Sequence, residues 1–407
     1  MKIAIIGGGA AGFFAAIHLK QWAPSAKVEI LERTSKVLAK VKVSGGGRCN
    51  LTNSFAQVTD LSQVYPRGFR LLKRLFREFS NEDTYQWYEN NGVPLVTQED
   101  ECVFPQAQDS DAVILCLKRQ AMSLGVEVRT GCSVVSVERT GEGALCVHLS
   151  DGTVNTFDRV LLTTGGAPKG EGHDWLSALG HKIEKPCPSL FTFKINDSAL
   201  TALMGIVVEH VQTAITGTKM RAEGPLLITH WGMSGPAILK LSSHGARYLA
   251  EHGYKAQLLI NWSGDVTVDA VIADLMAIAG SSPRKQLVTV RPYGLQQRLW
   301  SYLIERCGLP ADRTWGELGK KGINRLVNVL TSDIYEIADR GTYKDEFVTC
   351  GGVSLDSVSS KTLESKVCAG LYFAGEVLDI DGVTGGFNLQ AAWTTGYVAA
   401  KGIVQSL

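Results

Sequence analysis

Three glycines near the amino terminus have the spacing that lets a protein backbone approach a phosphate. Gly7, Gly9 and Gly12 form a GxGxxG sequence directly after the apolar run Lys2–Ile6. In nucleotide-binding folds the first glycine allows a tight turn, the second leaves room for a pyrophosphate, and the third lets a helix pack on the strand. Glu32 follows Gly12 by twenty residues, where a carboxylate can accept hydrogen bonds from a ribose. These residues predict a dinucleotide site, and the acidic residue disfavours NADP there.

A strand, a helix and a second strand must position these groups. Residues 2–6 are an apolar run typical of a strand buried on both faces, residues 13–19 have a helical pattern, and residues 28–31 are a second apolar run. The amino end of the helix would offer free N–H groups and partial positive charge to the phosphates. This fingerprint alone does not separate FAD from NAD.

Three further glycine-rich segments favour FAD. The sequence SGGGRCN over residues 44–50 places consecutive glycines before Arg48, a planar cation suited to a phosphate or to the electron-rich end of a flavin. Residues 160–166 predict a buried strand that ends in paired glycines. Residues 371–376 predict another strand, and GGFNLQAA from Gly385 opens a small-residue helix whose amino end would point at the ligand. A nucleotide fold that begins at residue 2 and is completed after residue 370 predicts an FAD domain that carries an insertion.

The motifs SGGGRCNLTN, TTGG, VTCGGV, TLESK and GEVLDIDGVTGGFNLQAA resemble the BaiN/YhiN-type (aminoacetone-oxidase-like) FAD-dependent oxidoreductase family. The resemblance implies an α/β fold, with a Rossmann-like two-dinucleotide-type FAD domain, an inserted antiparallel β (barrel-like) domain and a helical insertion. The FAD contacts that it implies are Gly7, Gly9, Ala11, Gly12, Glu32, Arg33, Ser44, Gly45, Arg48, Cys49, Asn50, Thr164, Gly165, Gly166, Gly375, Glu376, Asp381, Gly386, Phe387, Asn388 and Leu389.

The middle of the chain has the patterns of an insertion. We expect the FAD domain over residues 1–188 and 346–407 and the inserted domain over 189–345. Alternating residues in three segments predict antiparallel strands, and the resemblance implies that they form a barrel-like part over 189–265. Periodic apolar residues predict a helical part over 266–340.

Within the insertion, the THWGMSGP sequence over residues 229–236 allows two interpretations. Ser234 is suited to cap a helix with Pro236 in its first turn. Alternatively, the segment lines the substrate site, with His230 as a proton donor near neutral pH. His230 is therefore a weak candidate for a catalytic residue, and the catalytic residues are otherwise unknown.

Basic residues recur at helical spacing in one short segment. Arg67, Arg70, Lys73, Arg74 and Arg77 predict an amphipathic helix with a solvated basic face. A docking surface for a phosphorylated cofactor or an acidic partner is the alternative.

Composition excludes several classes of protein. The chain of 407 residues has 41 basic and 40 acidic residues, so no overall field attracts nucleic acid. Nine cysteines without a CxxC pair fit reduced thiols in a cytoplasm better than disulfides or zinc, and no apolar run is long enough to span a membrane. Cys49 lacks a second cysteine close by, so we expect it to pack beside the flavin rather than to form a redox disulfide. No metal site is expected.

These patterns predict an FAD-dependent oxidoreductase that transfers a hydride between flavin N5 and a small organic substrate. No second GxGxxG follows a strand, so NAD(P)H would bind only transiently as electron donor. The alternative is a flavin-dependent nucleic-acid modification or redox-sensing protein, which the basic helix supports and the neutral net charge opposes. We expect no nucleic-acid or membrane partner, and the oligomeric state is left open.

Overall fold

The architecture comes from a computed structural model, which describes residues 1–141, 143–167, 174–341 and 348–406. The chain divides into two compact units, which we call unit 1 (Met1–Pro188 with Val348–Leu407) and unit 2 (Ser189–Phe347). The predicted domain boundary between residues 345 and 346 lies outside the described residues and stays a prediction.

Both units contain strands and helices, and unit 2 both begins and ends with a strand of its barrel. The strands are β1 Lys2–Ile6, β2 Lys27–Glu32, β3 Thr52–Asn53, β4 Leu95–Thr97, β5 Cys102–Pro105, β6 Glu127–Thr130, β7 Val134–Arg139, β8 Leu145–Leu149, β9 Val154–Phe157, β10 Arg159–Leu162, β11 Ile183–Ser189, β12 Phe193–Ile195, β13 Val207–Ile215, β14 Arg221–Thr229, β15 Gly232–Ser234, β16 Ala256–Asn261, β17 Asp333–Arg340, β18 Val348–Val353 and β19 Leu371–Phe373. The helices are α1 Ala10–Trp22, α2 Ala39–Val43, α3 Phe69–Leu75, α4 Asn81–Asn90, α5 Ser110–Ser123, α6 Asp174–Ala178, α7 Ser198–Thr201, α8 Pro236–His244, α9 Ala246–Glu251, α10 Val268–Ser281, α11 Gln297–Arg306, α12 Gly319–Thr331 and α13 Phe387–Gln405.

Unit 1 is built on a parallel sheet with the strand order β19-β10-β1-β2-β6. The apolar run of β1 is buried because strands pair with it on both sides and helices cover the sheet. Helices α1 and α13 pack closely against each other. Gly396 allows this approach, because a Cβ there would lie 2.7 Å from the carbonyl oxygen of Ala11.

Two small antiparallel sheets and one strand pair complete unit 1. The orders are β3-β5-β4 and β7-β8-β9, and β11 pairs with β18. The sheet containing β3 lies next to α13, as its contacts show. It therefore brings the sequence after SGGGRC close to the last helix of the chain.

Unit 2 contains a closed antiparallel barrel with the order β12-β15-β14-β13-β16-β17. Its strands alternate buried and exposed residues, and the inward side chains join those of α10, α11 and α12 in one core. The predicted α/β fold, with a Rossmann-like parallel sheet and an inserted antiparallel barrel, is confirmed.

The prediction that residues 266–340 are helical is wrong at its carboxyl end. The helices end with α12 at Thr331, and Asp333–Arg340 is the strand that closes the barrel between β16 and β12. Its sequence DIYEIADR alternates with a period of two residues, and Tyr335 and Ile337 point into the core. A strand formed from this alternation satisfies backbone groups of β12 and β16 that would otherwise lie at open edges.

Among the described residues, no helix combines the length and the apolar character needed to cross a membrane.

Candidate functional site

The GxGxxG loop lies at the carboxyl edge of the parallel sheet, fixed between two strands. The backbone N–H of Gly7 donates to the carbonyl oxygen of Leu31 at 2.8 Å. Thr163, just after β10, donates its N–H to Ile6 and its hydroxyl to the carbonyl oxygen of Gly7, each at 2.8 Å. The loop is therefore held by strands on both sides of β1, at the edge where open α/β sheets bind ligands.

The three glycines of this loop have different physical roles. A Cβ at Gly7 would lie 2.4 Å from the Thr163 carbonyl oxygen, and Gly7 also has a φ of +112° that other residues rarely adopt. A Cβ at Gly12 would lie 2.2 Å from the Gly7 carbonyl oxygen. By contrast, nothing lies within 4 Å of a Cβ built at Gly9. Gly7 and Gly12 are thus required by the packing, whereas Gly9 presents an open stretch of backbone that a pyrophosphate can approach.

The amino end of α1 is suited to an anion. Gly9 is its N-cap, no side chain of the described residues caps it, and no acidic residue lies in its first turn. The first backbone N–H groups at Ala11 and Gly12 therefore have no intrahelical acceptor, and the helix dipole adds partial positive charge.

Glu32 lies beside this loop and is oriented by it. Its Oε2 accepts the N–H of Gly8 at 2.9 Å, and its Oε1 accepts the N–H and the hydroxyl of Thr34, each at 2.8 Å. These bonds hold a half-buried carboxylate at the end of β2, in the position where a dinucleotide fold meets a ribose. Arg33, the next residue, is exposed.

The SGGGRCN segment forms a short 3-10 turn over Ser44–Gly47, followed by a constrained arginine. The Arg48 Nε donates to the Gly45 carbonyl oxygen and Nη1 donates to Gln108, both at 3.2 Å. The guanidinium carbon lies 4.3 Å from the centre of the Phe104 ring. Arg48 is thus a half-exposed cation held over an aromatic ring, next to open backbone.

Cys49 is placed differently from the other residues of this segment. Its side chain is fully buried, and burial raises the pKa of its thiol to about 12. The thiol is therefore protonated at neutral pH and does not offer a nucleophile or a redox partner at the surface.

The carboxyl-terminal loops meet these segments at the same edge. Glu376, just after β19, accepts the N–H of Thr349 at 2.7 Å through Oε1 and pairs with Lys40 at 2.6 Å through Oε2. A Cβ at Gly166 would lie 2.3 Å from the Thr349 hydroxyl and 2.9 Å from Glu376 Oε1. The paired glycines Gly165 and Gly166, Glu376 and the segment before SGGGRCN are therefore brought together.

The GGFN sequence packs directly on the segment after Cys49. Gly386 is the N-cap of α13 with a φ of +89°, and a Cβ there would lie 2.2 Å from the Thr52 carbonyl oxygen. With its amide oriented to satisfy both groups, Asn50 donates to that carbonyl at 2.9 Å and accepts the Gly386 N–H at 3.3 Å. Asn388 closes the preceding loop by accepting the N–H of Gly382 and donating to its carbonyl, both at 2.8 Å. The amino end of α13 is thus fixed beside the SGGGRCN segment.

The remaining predicted residues lie around these contacts. Ser44 and Leu389 are half-buried, and Thr164 is exposed. Gly375 is buried, and its N–H donates to the hydroxyl of Thr395 at 2.9 Å. The carbonyl oxygen of Phe387 accepts a hydrogen bond from the hydroxyl of Tyr65 at 2.8 Å.

Asp381 is not at the open surface of this edge. Its carboxylate is fully buried and forms two hydrogen bonds with the guanidinium of Arg67. The prediction that Arg67 belongs to a solvated basic face is therefore wrong, because only 10% of its side chain is exposed. Arg67 precedes the first residue of α3, so the helical spacing of the basic residues does not extend to it. The other basic residues of the segment are exposed, as predicted: Arg70, Lys73, Arg74 and Arg77.

In unit 2, His230 lies exposed in the turn between β14 and β15, with its ring centre 3.8 Å from that of Trp231. The prediction that Ser234 caps a helix is wrong. Gly235, with a φ of +91°, is the N-cap of α8, and the hydroxyl of Ser234 shares a hydrogen bond of 3.1 Å with that of Thr192. The role of His230 in the reaction stays a prediction.

Lys40, Thr349 and Arg67 are absent from the cofactor contacts predicted from the sequence. Lys40 is one of several lysines in its segment, and its partner lies 336 residues away. Nothing in the local pattern distinguishes it from the others. In the described part of the chain, no group of three or more His, Cys, Asp or Glu side chains could hold a metal ion.

Comparison with known proteins agrees with this geometry. The profile of the HI0933-like protein Rossmann domain matches residues 1–402. The chain is 30% identical to a ribosomal RNA dihydrouridine synthase of Haemophilus influenzae, over 98% of this chain and 97% of the relative. It is 28% identical to a 3-dehydro-bile acid delta(4,6)-reductase of Clostridium scindens, over 98% of both.

Among solved structures, the 3-ketosteroid-delta4-(5alpha)-dehydrogenase of Rhodococcus jostii RHA1 is similar in fold. The TM-score is 0.51 at 16% sequence identity, with 100% of this chain and 96% of that chain covered. With the four glycine-rich segments at one sheet edge and a family profile that covers almost the whole sequence, the chain belongs to the HI0933-like Rossmann family and is an FAD-dependent oxidoreductase.

Proposed function

We propose that this protein reduces a carbon–carbon double bond conjugated to a carbonyl group, with NAD(P)H as the source of electrons. The observation that carries the proposal is the convergence of four separate glycine-rich segments on the carboxyl edge of the unit 1 sheet. The names of the relatives support the reaction type: a delta(4,6)-reductase and a dihydrouridine synthase both add two hydrogens across a carbon–carbon double bond.

The reaction requires a hydride at one carbon of the double bond and a proton at the other. FAD, when bound and reduced, supplies the hydride from N5 of its ring. The protein must bind and orient this cofactor, admit the substrate and provide the proton. The absence of a second GxGxxG in the sequence favours a nicotinamide donor that binds only transiently.

We assign the two ends of the cofactor to different segments. Gly9 and the amino end of α1 would hold the pyrophosphate, and Glu32 with Arg33 would hold the adenosine ribose. Arg48 and the amino end of α13 both bring positive charge to the other end, where an electron-rich flavin edge would be stabilised. Lys40 and Glu376 neutralise each other between these ends, so they would position the loops rather than alter the charge of the flavin.

We favour a small organic enone as substrate. The formal net charge of +1 gives no overall attraction to a polyanion. The second candidate is a uracil base of ribosomal RNA, which is favoured by the name of the Haemophilus relative and by the four exposed cations of the α3 segment, Arg70, Lys73, Arg74 and Arg77.

The decisive experiment separates the reaction type from the substrate. The purified holoprotein is reduced anaerobically with NADH or NADPH, and loss of the flavin absorption is followed. A 4,6-dien-3-one steroid or a ribosomal RNA transcript is then added, and the product is identified by its gain of two hydrogens in mass spectrometry. Reoxidation by the steroid supports the favoured substrate, and dihydrouridine in the transcript supports the second. Slow reoxidation that is unchanged by either compound would contradict the proposed reaction.

A charge-reversed variant tests the RNA candidate independently. Replacing Arg70 and Lys73 by Glu should strongly weaken salt-dependent RNA binding if α3 contacts phosphates, because each lost contact weakens binding and lowers its salt dependence. Lys320→Glu with Lys321→Glu, on the exposed start of α12, removes a comparable charge as control. Equal RNA binding by both variants excludes α3 as the RNA surface.

His230 remains our candidate for the proton donor. The variant His230→Gln should lower the rate of substrate reduction while flavin reduction by the nicotinamide stays unchanged. Identical rates in both half-reactions would remove His230 from the mechanism.

A further inference from the structure

An open surface cavity in unit 1 lies at the opposite end of α1 from the glycine loop. It has a volume of about 310 Å³, and His18 and Trp22 contribute to its lining from the last turns of α1. These residues follow the first turn by two to three helical turns, which places the cavity roughly 12–18 Å away along the helix. It is therefore separate from the surface that we assign to FAD.

Aromatic rings form the walls of this cavity. The ring centres of Trp22 and Tyr397 lie 5.0 Å apart, and the two ring planes are nearly perpendicular. The ring centres of Trp87 and His18 lie 6.0 Å apart. Trp22 remains 38% exposed although it belongs to an otherwise packed aromatic cluster. Exposed faces of Trp and Tyr attract cations, and most strongly those that can stack flat on the ring.

His18 contributes a buried hydrogen-bond acceptor. Its side chain is 4% exposed, and Nδ1 lies 2.8 Å from the carbonyl oxygen of Phe14. A carbonyl can only accept, so Nδ1 carries the proton and Nε2 carries the lone pair. Burial lowers the pKa of His18 to about 4, so the ring is neutral under ordinary conditions. Within the described part of the chain, Nε2 has no hydrogen-bond partner, and the ring that carries it lines the cavity.

The charges at the rim are acidic. Glu78 and Asp83 both line the cavity, and no basic side chain is among its lining residues. Lys401 pairs with Glu78 at 2.6 Å from outside the lining. Asp83 accepts the N–H and the hydroxyl of Ser80 through Oδ2, which leaves its Oδ1 for another donor.

We propose that this cavity binds the guanidinium group of a small organic cation. A flat cation can stack on the half-exposed ring of Trp22, beside Tyr397, and its N–H groups can donate to His18 Nε2 and to Asp83. A quaternary ammonium ion would satisfy the aromatic walls but has no N–H for the histidine. A neutral urea has the N–H groups but not the charge.

The test uses the flavin-loaded protein and three probes, methylguanidinium, tetramethylammonium and N-methylurea, titrated by tryptophan fluorescence and calorimetry. We expect methylguanidinium to bind with a Kd in the range of about 0.1–10 mM, and the other two to bind at least about fivefold more weakly. Trp22→Leu and Asp83→Asn should each weaken binding of methylguanidinium about threefold or more. Glu82→Gln removes an acidic residue of the same helix that does not line the cavity, and it should leave the affinity unchanged.

Two ligands distinguish the source of the guanidinium group. Binding of agmatine alone identifies a free small cation, whereas equal binding of agmatine and a blocked Gly-Arg-Gly peptide shows that the head group is sufficient. Equal affinity for methylguanidinium and N-methylurea, or affinity unchanged in both Trp22→Leu and Asp83→Asn, would overturn the proposal. Unchanged flavin content in each variant keeps the result independent of the FAD site.

Discussion

At the residue scale, the guanidinium of Arg48 is held by several contacts but forms no ion pair with a carboxylate of the described residues. The contacts are with the Gly45 carbonyl, Gln108 and the Phe104 ring. Because a planar cation fixed in advance loses little entropy when an anion binds, Arg48 is suited to hold a cofactor rather than to stabilise the fold.

The variant Arg48→Ala should therefore weaken FAD binding about 10-fold to 100-fold, since a hydrogen bond to a charged group contributes about 1.5–3 kcal/mol. Flavin occupancy after purification and the Kd for added FAD measure the effect. Arg74→Ala, which removes an exposed arginine whose guanidinium donates to the Ser360 hydroxyl, is the matched control. Equal occupancy in the two variants would refute the assigned role of Arg48.

His18 gives a second prediction at this scale, concerning pH. Burial lowers its pKa from the ordinary 6.5 to about 4, so the unfolded chain takes up a proton at a higher pH than the folded protein. The free energy of unfolding should consequently fall as the pH drops from about 6.5 to about 4, by about 2 kcal/mol between about pH 7 and pH 5.

Urea unfolding at these two pH values checks this prediction. His18→Gln should show a smaller difference than the wild type, whatever its overall stability. The control His210→Gln removes an exposed histidine and should keep the wild-type difference. A wild-type difference that persists in His18→Gln would assign the acid sensitivity to other groups.

At the scale of elements, the crossing of α1 and α13 connects the two ends of the chain. Ala11, in the first turn of α1, faces Gly396 in the interior of α13, and Gly375 after β19 also lies against Ala11. Helix α1, whose amino end we assign to the pyrophosphate, is therefore positioned by α13.

The variant Gly396→Ala should destabilise the protein by about 1–3 kcal/mol, because its methyl group would lie 2.7 Å from the Ala11 carbonyl oxygen. Displacement of α1 should also weaken FAD binding. The same substitution at Gly280, in α10, meets nothing within 4 Å and should stabilise the protein by up to about 1 kcal/mol. Denaturant unfolding of both variants measures the contrast, and similar values for the two would show that the helix crossing tolerates a larger separation.

At the scale of the whole molecule, the segments that we assign to FAD come from residues spread across nearly the entire sequence. The described contacts join residue 32 to the loop at residue 8, residue 40 to residue 376, and residue 50 to residue 386. A ligand that spans these segments binds the folded chain and not the unfolded one, so it should stabilise unit 1 by mass action.

Added FAD at about 100 times its Kd should therefore stabilise the folded protein by about 2.7 kcal/mol. For a unit of this size, that stabilisation should raise the melting temperature by roughly 5–10 °C. FMN, which lacks the adenosine half, should give a much smaller shift because it cannot reach the Glu32 side. Differential scanning calorimetry of the flavin-depleted protein measures both shifts. Equal shifts would mean that Glu32 and the GxGxxG loop contribute little to binding.

The sequence by itself determined the features that depend on short stretches of chain. Gly7, Gly9, Gly12 and Glu32 lie within one strand-helix-strand unit, where local sterics and periodicity restrict the backbone to one arrangement. The dinucleotide fingerprint and the glycine loops could be predicted for this reason, whereas the inserted barrel was implied by the family resemblance. The prediction of a helix over Asp333–Arg340 was wrong, because the strand that forms there is stabilised by pairing with β12 and β16, which lie far away in the sequence.

The tertiary structure alone decided which distant residues meet. Lys40 forms an ion pair with Glu376, and the guanidinium of Arg67 forms one with the buried carboxylate of Asp381. The imidazole of His18 lines a cavity to which α4 and α13 also contribute residues. Such pairings depend on how the sheet orders its strands and where α13 returns, and no local propensity encodes a partner more than three hundred residues away. A residue's type therefore indicated what chemistry it could do, and the topology decided whether that chemistry serves the ligand, the fold or a second site.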